Sequence, residues 1–299
     1  AMMQEQSATP IKTFTIGFQN QNFDESPYAK SVAAFLGTDH TEVILSEKDA
    51  LDVIPSIPDI YSEPFADSSQ IPTYLVAKIA KSEVTVSLTG DGGDELFGGY
   101  NRYFWSQKIW RKVNWMPFAI RKSIGQLLIK SPADLANSIE LLINKTSMDG
   151  RVTRLNDKVQ KLASRLQFIS SERSLYSSLC TEWNDTHDLL TPAYQSLNSS
   201  QLKLAPLEGL SAIENMMYWD LSSYLKEDIL TKVDRAGMAN SLETRAPFLD
   251  FRVAASAWKF KESFLISGYQ GKMPLRKILE TYIPKELFDR PKAGFGIPI

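Results

Sequence analysis

Cysteine, histidine and long apolar runs are what this chain has least of, and each scarcity removes a class of function. Of 299 residues one is cysteine, Cys180, so no internal disulfide can form and a reducing, cytoplasmic setting is expected. A lone cysteine reads as buried packing rather than as a nucleophile. The two histidines, His40 and His187, stand apart, and neither has a cysteine or second histidine at ligand spacing, so no zinc site is expected. No apolar run approaches the length of a bilayer span, and no membrane partner is expected. A net charge of −2 sets up no global field for nucleic acid or anionic lipid. Basic residues do interleave with Trp105, Trp110 and Trp115 between Asn101 and Lys130. With so little net charge, that stretch reads as a solvated helix face over packed tryptophans, not as an RNA surface. The chain is long enough, at 43% hydrophobic, to bury one large core or two small ones.

What is abundant is acid and glycine in one place. Val84 to Tyr100 reads V-T-V-S-L-T-G-D-G-G-D-E-L-F-G-G-Y. Val84, Val86 and Leu88 predict a short buried strand that breaks at Gly90. Asp91, Asp94 and Glu95 follow, with Gly92 and Gly93 between them and Gly98 and Gly99 behind. A strand, a glycine-acid turn and a helix is how an open α/β sheet builds a ligand crevice at the carboxyl ends of its strands. Carboxylates this close repel, so a positive group should sit among them. Mg²⁺ carried on a nucleotide suits, because it takes one or two protein carboxylates plus phosphate oxygens. A solvated acidic turn is the alternative; the D-x-D-x-D-G spacing of a calcium loop is absent.

The surrounding pattern is α/β. Phe14, Ile16 and Phe18 alternate as a strand, Ser26 and Pro27 start a helix that Gly37 stops, and Thr41 to Leu45 is the next strand. Ser46 and Asp49 have capping-box spacing. A further helix begins near Asp67 or Ser68, with Ile71, Tyr74, Leu75 and Ile79 on one face. After Glu95 no further strand is expected. Ile213, Met216, Met217, Leu221, Tyr224 and Leu225 predict a buried helix. Beyond it Lys232, Asp234, Arg235, Glu243 and Arg245 lie near apolar residues, where charges of both signs must pair; Asp234, Arg235, Arg245 and Asp250 read as an ion-pair network bracing the helical half against the sheet, with substrate contact as the alternative. Gly271 to Tyr282 predicts another helix. Arg290, Pro291, Lys292, Gly294 and Gly296 form a basic, glycine-bearing loop in which Lys292 could serve phosphate as a point charge.

Three blocks together carry a family resemblance: Thr89 to Tyr100, Tyr224 to Asp250 (Y-L-K-E-D-I-L-T-K-V-D-R-A-G-M-A-N-S-L-E-T-R-A-P-F-L-D), and Arg290 to Pro298 (R-P-K-A-G-F-G-I-P). In this order they resemble the synthetase half of the asparagine synthetase family, an ATP pyrophosphatase that is also similar to β-lactam synthetases. The resemblance implies an α/β fold with a parallel sheet of the adenine-nucleotide alpha-hydrolase-like, PP-loop type over residues 1–100, and a largely helical remainder over 101–299. It implies ATP and Mg²⁺ as cofactors. The substrates would be aspartate or another carboxylate, and ammonia released from glutamine by a separate N-terminal domain. Neither nucleic acid nor membrane is an expected partner, and self-association is left open. Related readings are another adenylating ligase, closing a lactam or amidating a sugar or peptide carboxylate, and a non-catalytic scaffold.

Carried over position by position, Asp94 with Glu95 would ligate the metal, and Asp91 would take the place of the acidic residue tied to intermediate formation and ammonia deprotonation. Lys292 would neutralise charge on the phosphates. Ile16, through its backbone, and Thr89 with Gly90 would flank adenine. Asp67, Ser68 and Ser69 fall where some members bind the amino acid. Asp91 departs from the glutamate of the best-known members and is one methylene shorter. The family's phosphate loop, S-G-G-x-D-S, is not found in the chain. Its expected place is just upstream of Ala1, so the sequence is expected to be a piece of a longer protein, inactive and weak in ATP binding by itself. A central strand would then be missing between the Phe14 and Val84 strands, leaving a gap, a re-pairing or an intermolecular contact there.

Overall fold

Lys12–Phe18 (β1) and Asp39–Leu45 (β2) run parallel, in register from Lys12 opposite Asp39 to Phe18 opposite Leu45. These assignments come from a computed structural model that describes residues 1–19, 24–129, 163–181 and 205–289. The chain divides into two compact units, Ala1–Gly99 with Met217–Ile299, and Tyr100–Met216.

In the first unit, Ser26–Leu36 (α1) links the two strands. It starts one residue before the expected position, with Glu25 as cap and Ser26 and Pro27 opening the helix. Gly37 ends it at φ +67°, a left-handed value that costs glycine little. Glu47–Val53 (α2) carries the predicted capping box. Asp49 N–H donates to Ser46 Oγ at 3.2 Å, and Ser46 N–H donates back to Asp49 Oδ2 at 2.8 Å. Gln70–Lys81 (α3) then buries Ile71, Leu75, Ala77 and Ala80. Ile71 and Leu75 join Ile16, Phe18, Leu45 and Val53 in one core cluster. Each such side chain contributes about 1.5–3 kcal/mol of hydrophobic burial.

Val86–Leu88 (β3) and Glu243–Arg245 (β4) form a second, separate parallel pair. This corrects the expectation that no strand follows Glu95. E-T-R has neither apolar alternation nor β-branched character beyond Thr244, so periodicity could not reveal it. It is recruited by the neighbouring strand's backbone: Glu243 N–H donates to Thr85 O at 3.0 Å and Thr89 N–H to Arg245 O at 2.8 Å. A second correction concerns β3, which was expected to be buried. Leu88 is 55% exposed, because the described residues leave that face of the strand uncovered. Among the described residues β1 pairs only with β2, and β3 only with β4. What joins the pairs is α3: Phe14 of β1 meets Ala77 and Ala80 of α3, with Val84 ahead of β3 and Leu242 ahead of β4. An ion pair from Lys12 to Glu83 ties the start of β1 to the turn after α3.

In the second unit, Asn101–Val113 (α4) and Glu172–Cys180 (α5) pack together, burying Tyr103, Leu175 and Tyr176. The expectation of tryptophans beneath a basic face holds only in part: Lys108, Arg111, Lys112 and Lys122 are exposed as expected, and Trp110 is half-buried. Trp105 and Trp115 are exposed, whereas Arg121 is buried with its guanidinium 5.2 Å from the Trp110 ring centroid. Cys180 is exposed rather than buried, since it ends α5. Ala212–Ser222 (α6) crosses the boundary between units and buries Ile213, Met216 and Met217 as expected. No described helix is long and apolar enough to cross a membrane.

The contrast between buried and uncovered strands is measurable. Leu75→Ala should cost about 3 kcal/mol in urea denaturation, whereas Leu88→Ala should cost less than about 1 kcal/mol. Equal, large losses would mean that β3 is buried after all.

Candidate functional site

β3 delivers the acidic turn at its carboxyl end. Gly93 N–H donates to Gly90 O at 3.3 Å, closing the turn around Asp91 and Gly92. Gly92 takes φ +85°, and a Cβ there would lie 2.4 Å from Leu249 Cδ2. At Gly93 a Cβ would lie 3.2 Å from the Phe248 ring. Phe248 in turn meets Phe97 edge to face at 6.0 Å. The first and second sequence blocks are therefore one packed structure: A-P-F-L-D, after β4, closes onto G-D-G-G-D, after β3.

The short helix Gly93–Phe97 carries Asp94 and Glu95. Glu95 was expected as a metal ligand, but it is 1% exposed and is buried with Leu96 and Phe97. Asp91 and Asp94 are the partly exposed acids of the turn. Asp94 is partly exposed and has the positive partner that the crowding of acids demands, Lys272, whose Nζ lies 2.9 Å from Asp94 Oδ2.

The chain goes to some length to bring Lys272 there. Its φ is +58°, left-handed and costly for a residue with a side chain. Its N–H donates to Phe97 O at 2.9 Å, anchoring it to the end of the acidic helix. A Cβ on Gly271 would lie 1.9 Å from Gly98 O, and one on Gly99 would lie 2.1 Å from Asp94 Oδ1 and 2.3 Å from Lys272 Cε. Glycine at 99 and 271 is thus a steric requirement of this contact. The expected helix at Gly271 to Tyr282 is shorter, Met273–Leu279, because Gly271 and Lys272 are spent on this approach.

Of the expected nucleotide contacts, Thr89 lies at the tip of β3 with a buried Oγ1 that has no hydrogen-bond partner among the described residues. Among the described residues nothing lies within 4 Å of where a Cβ on Gly90 would be. Ile16 lies two residues short of the end of β1, opposite Val43, its side chain in the core. Lys292 and the rest of the Arg290 to Pro298 block lie outside the described residues, as does His187.

Asp67 and Ser69 form a second polar cluster with Lys232, which lies on Thr231–Ala239. Lys232 Nζ is 2.5 Å from Asp67 Oδ2 and 2.8 Å from Ser69 Oγ. Ser69 N–H and Oγ–H each donate to Asp67 Oδ1 at 2.8 Å. Burial opposes the charge on Asp67, but the Lys232 hydrogen bond and charge, with the Ser69 donors, outweigh it and hold the carboxyl below the usual range. Burial first, then the charges of Asp67 and Asp228, push the Tyr61 phenol up to about 12. Lys232 was legible as a charge in need of a partner; its partner was not. By contrast Arg245 pairs locally with Glu243, and Arg252 with Asp250, whose carboxyl that arginine holds down at about 2. These two pairs are exposed and brace nothing distant. Lys272 was missed altogether, because only the crowding of acids 170-odd residues earlier hints at it.

The model of the asparagine synthase family matches residues 1–299. The chain belongs to this family. It is 33% identical over 291 residues to asparagine synthetase [glutamine-hydrolyzing] 1 of Bacillus subtilis, covering 97% of this chain and 43% of that protein. It is 31% identical over 288 residues to a putative asparagine synthetase [glutamine-hydrolyzing] of Mycobacterium tuberculosis, covering 96% of this chain and 41% of that one. The chain therefore spans about two-fifths of the length of these family members.

Removing the acid from the Lys232 cluster leaves a buried ammonium uncompensated, so Asp67→Asn should destabilise the protein by about 3 kcal/mol in urea at neutral pH. Because the folded-state pKa is lowered, the stability Asp67 adds is present above the unfolded value of about 3.9 and is lost as pH falls through the folded one. The gap between parent and variant should hold constant near neutrality and shrink only in acid. A gap that is absent, or that widens in acid, would contradict this.

Proposed function

We propose that this chain is the synthetase part of an asparagine synthetase, of the PP-loop ATP pyrophosphatase fold type, which activates aspartate with ATP and converts it to the amide with ammonia. The single observation that carries the reading is the acidic glycine turn after β3, closed by the Phe248 block and carrying a partly exposed Asp94, in a chain of this family.

In the first step a carboxylate oxygen of aspartate bonds to the α-phosphorus of ATP as the bond to pyrophosphate breaks. In the second, ammonia bonds to the acyl carbon, AMP leaves with the electron pair of the broken C–O bond, and a proton is given up. The chain's part is positional and electrostatic, as in other transfers at phosphorus. Thr89, with its unsatisfied hydroxyl, Gly90 and the Ile16 backbone flank the base. Asp91 lies beside the reacting carboxyl and takes the proton from ammonia. Lys292 answers charge on the phosphates. Asp67 and Ser69, kept in place by Lys232, and Ser68 between them face the amino acid.

Mg²⁺ fits the donor set: Asp94, with Asp91 three residues before it, supplies the one or two carboxylates such an ion takes when phosphates provide the rest. Bound there, it would offset charge on the pyrophosphate. Ammonia from glutamine hydrolysis elsewhere in the protein belongs to the same proposal.

Exchange of labelled pyrophosphate into ATP tests the first step in the full-length protein. Exchange should require aspartate and fall by about 10²–10³ in Asp94→Asn. Exchange driven equally by unrelated acids would overturn the substrate, and full exchange in Asp94→Asn would overturn the site.

A further inference from the structure

The Lys272–Asp94 contact invites a question about charge. The carboxylate proposed for the metal is paired with an ammonium, 2.9 Å from Oδ2. The two cannot share that oxygen face: Mg²⁺ bonds at about 2.0–2.1 Å and demands near-octahedral geometry. An ion taking Oδ2 must displace Lys272, and one taking Oδ1 alone would sit beside its charge, so either way the ammonium opposes a bare cation.

The surroundings favour movement of the side chain on a fixed backbone. The backbone is fixed by the N–H bond to Phe97 O and by the packing of Gly271 on Gly98. The side chain is one-third exposed at 33%, and Asp94 is exposed at 23%, so the pair is neither sealed nor dry. A lysine stem is flexible, and its ammonium is a compact point charge with three donors, able to leave a carboxylate for a phosphate oxygen without losing charge compensation. Nζ also lies close over the turn, 3.9 Å from where a Cβ on Gly93 would be, so a short swing keeps it at the tip of β3.

We propose that Lys272 is a positioning residue: it holds the cation seat on Asp94 while the site is empty and passes to phosphate when the metal–nucleotide complex arrives. This rests on the reading of Asp94 given above. Lys272 keeps bare divalent ions off the acidic turn and makes metal binding depend on nucleotide.

The test uses the full-length protein and two probes, Mn²⁺ alone, followed by its spin resonance signal, and Mg·ATP, followed by calorimetry. Lys272→Met keeps the stem without the charge, and Lys272→Gln serves in its place should the methionine variant not fold. Removing the ammonium should tighten binding of Mn²⁺ alone by about tenfold and weaken Mg·ATP by about tenfold, the size expected from one neighbouring charge. Lys272→Arg should restore the direction of both effects. A purely structural role would move both affinities the same way, so parallel losses overturn the proposal. Unchanged affinities in Lys272→Met, with Mg·ATP binding lost in Asp94→Asn, also overturn it while leaving the Asp94 reading intact. Unchanged Mg·ATP binding in Asp94→Asn overturns that reading, and this proposal with it.

Discussion

The approach of Lys272 to Asp94 depends on two glycines that leave no room for anything larger. Gly99 clears the space taken by the carboxylate and the lysine stem, and Gly271 lets its own segment touch the Gly98 carbonyl. Among the described residues, that contact supplies the positive group that acids crowded into one turn call for. With it, the turn keeps a charged carboxylate partly open to solvent and compensated by a cation that can move. The pairing spans 178 residues of sequence and fixes the geometry of the turn.

The rest of the first unit serves to hold that turn still. β3 is a three-residue strand with an exposed face, too short to be rigid alone. It is held by β4 on one side and, through Ala77, Ala80 and Leu242, by α3 beneath. The same helix packs on β1, so one element references both strand pairs. Its amino end is secured by Lys232 bridging to Asp67 and Ser69 from a helix far along the chain. Phe248 and Leu249 then seal the glycines from outside. The second block's helix thus braces the start of α3, its strand pairs with β3, and its loop packs on the first block's glycines.

Much of this was legible in the sequence, for physical reasons. Gly37, the Ser46–Asp49 box and the alternation through Phe14, Ile16 and Phe18 are local signals, and their elements lie where these residues predict, within one or two positions. The site was legible as a cluster of acids and glycines after a strand, and the family from three ordered blocks. What was illegible was non-local. β4 is paired because Thr85 and Thr89 offer backbone partners, not because Glu243, Thr244 and Arg245 resemble a strand. Glu95 looked equivalent to Asp94, yet one residue of helical rotation buries the first and leaves the second at the surface. Lys272 sits in an ordinary run, Q-G-K-M-P, and only the folded chain shows what its glycine is for.

Crystals of the full-length protein grown with ATP and Mn²⁺ would test the central claim most directly, through the anomalous signal of the metal. The account predicts a metal peak within about 2.5 Å of an Asp94 carboxylate oxygen, shared with phosphate, and the Lys272 ammonium displaced from Asp94 toward the nucleotide. A metal bound to nucleotide with no ligand from the turn between Thr89 and Glu95, and Lys272 still paired with Asp94, would contradict it.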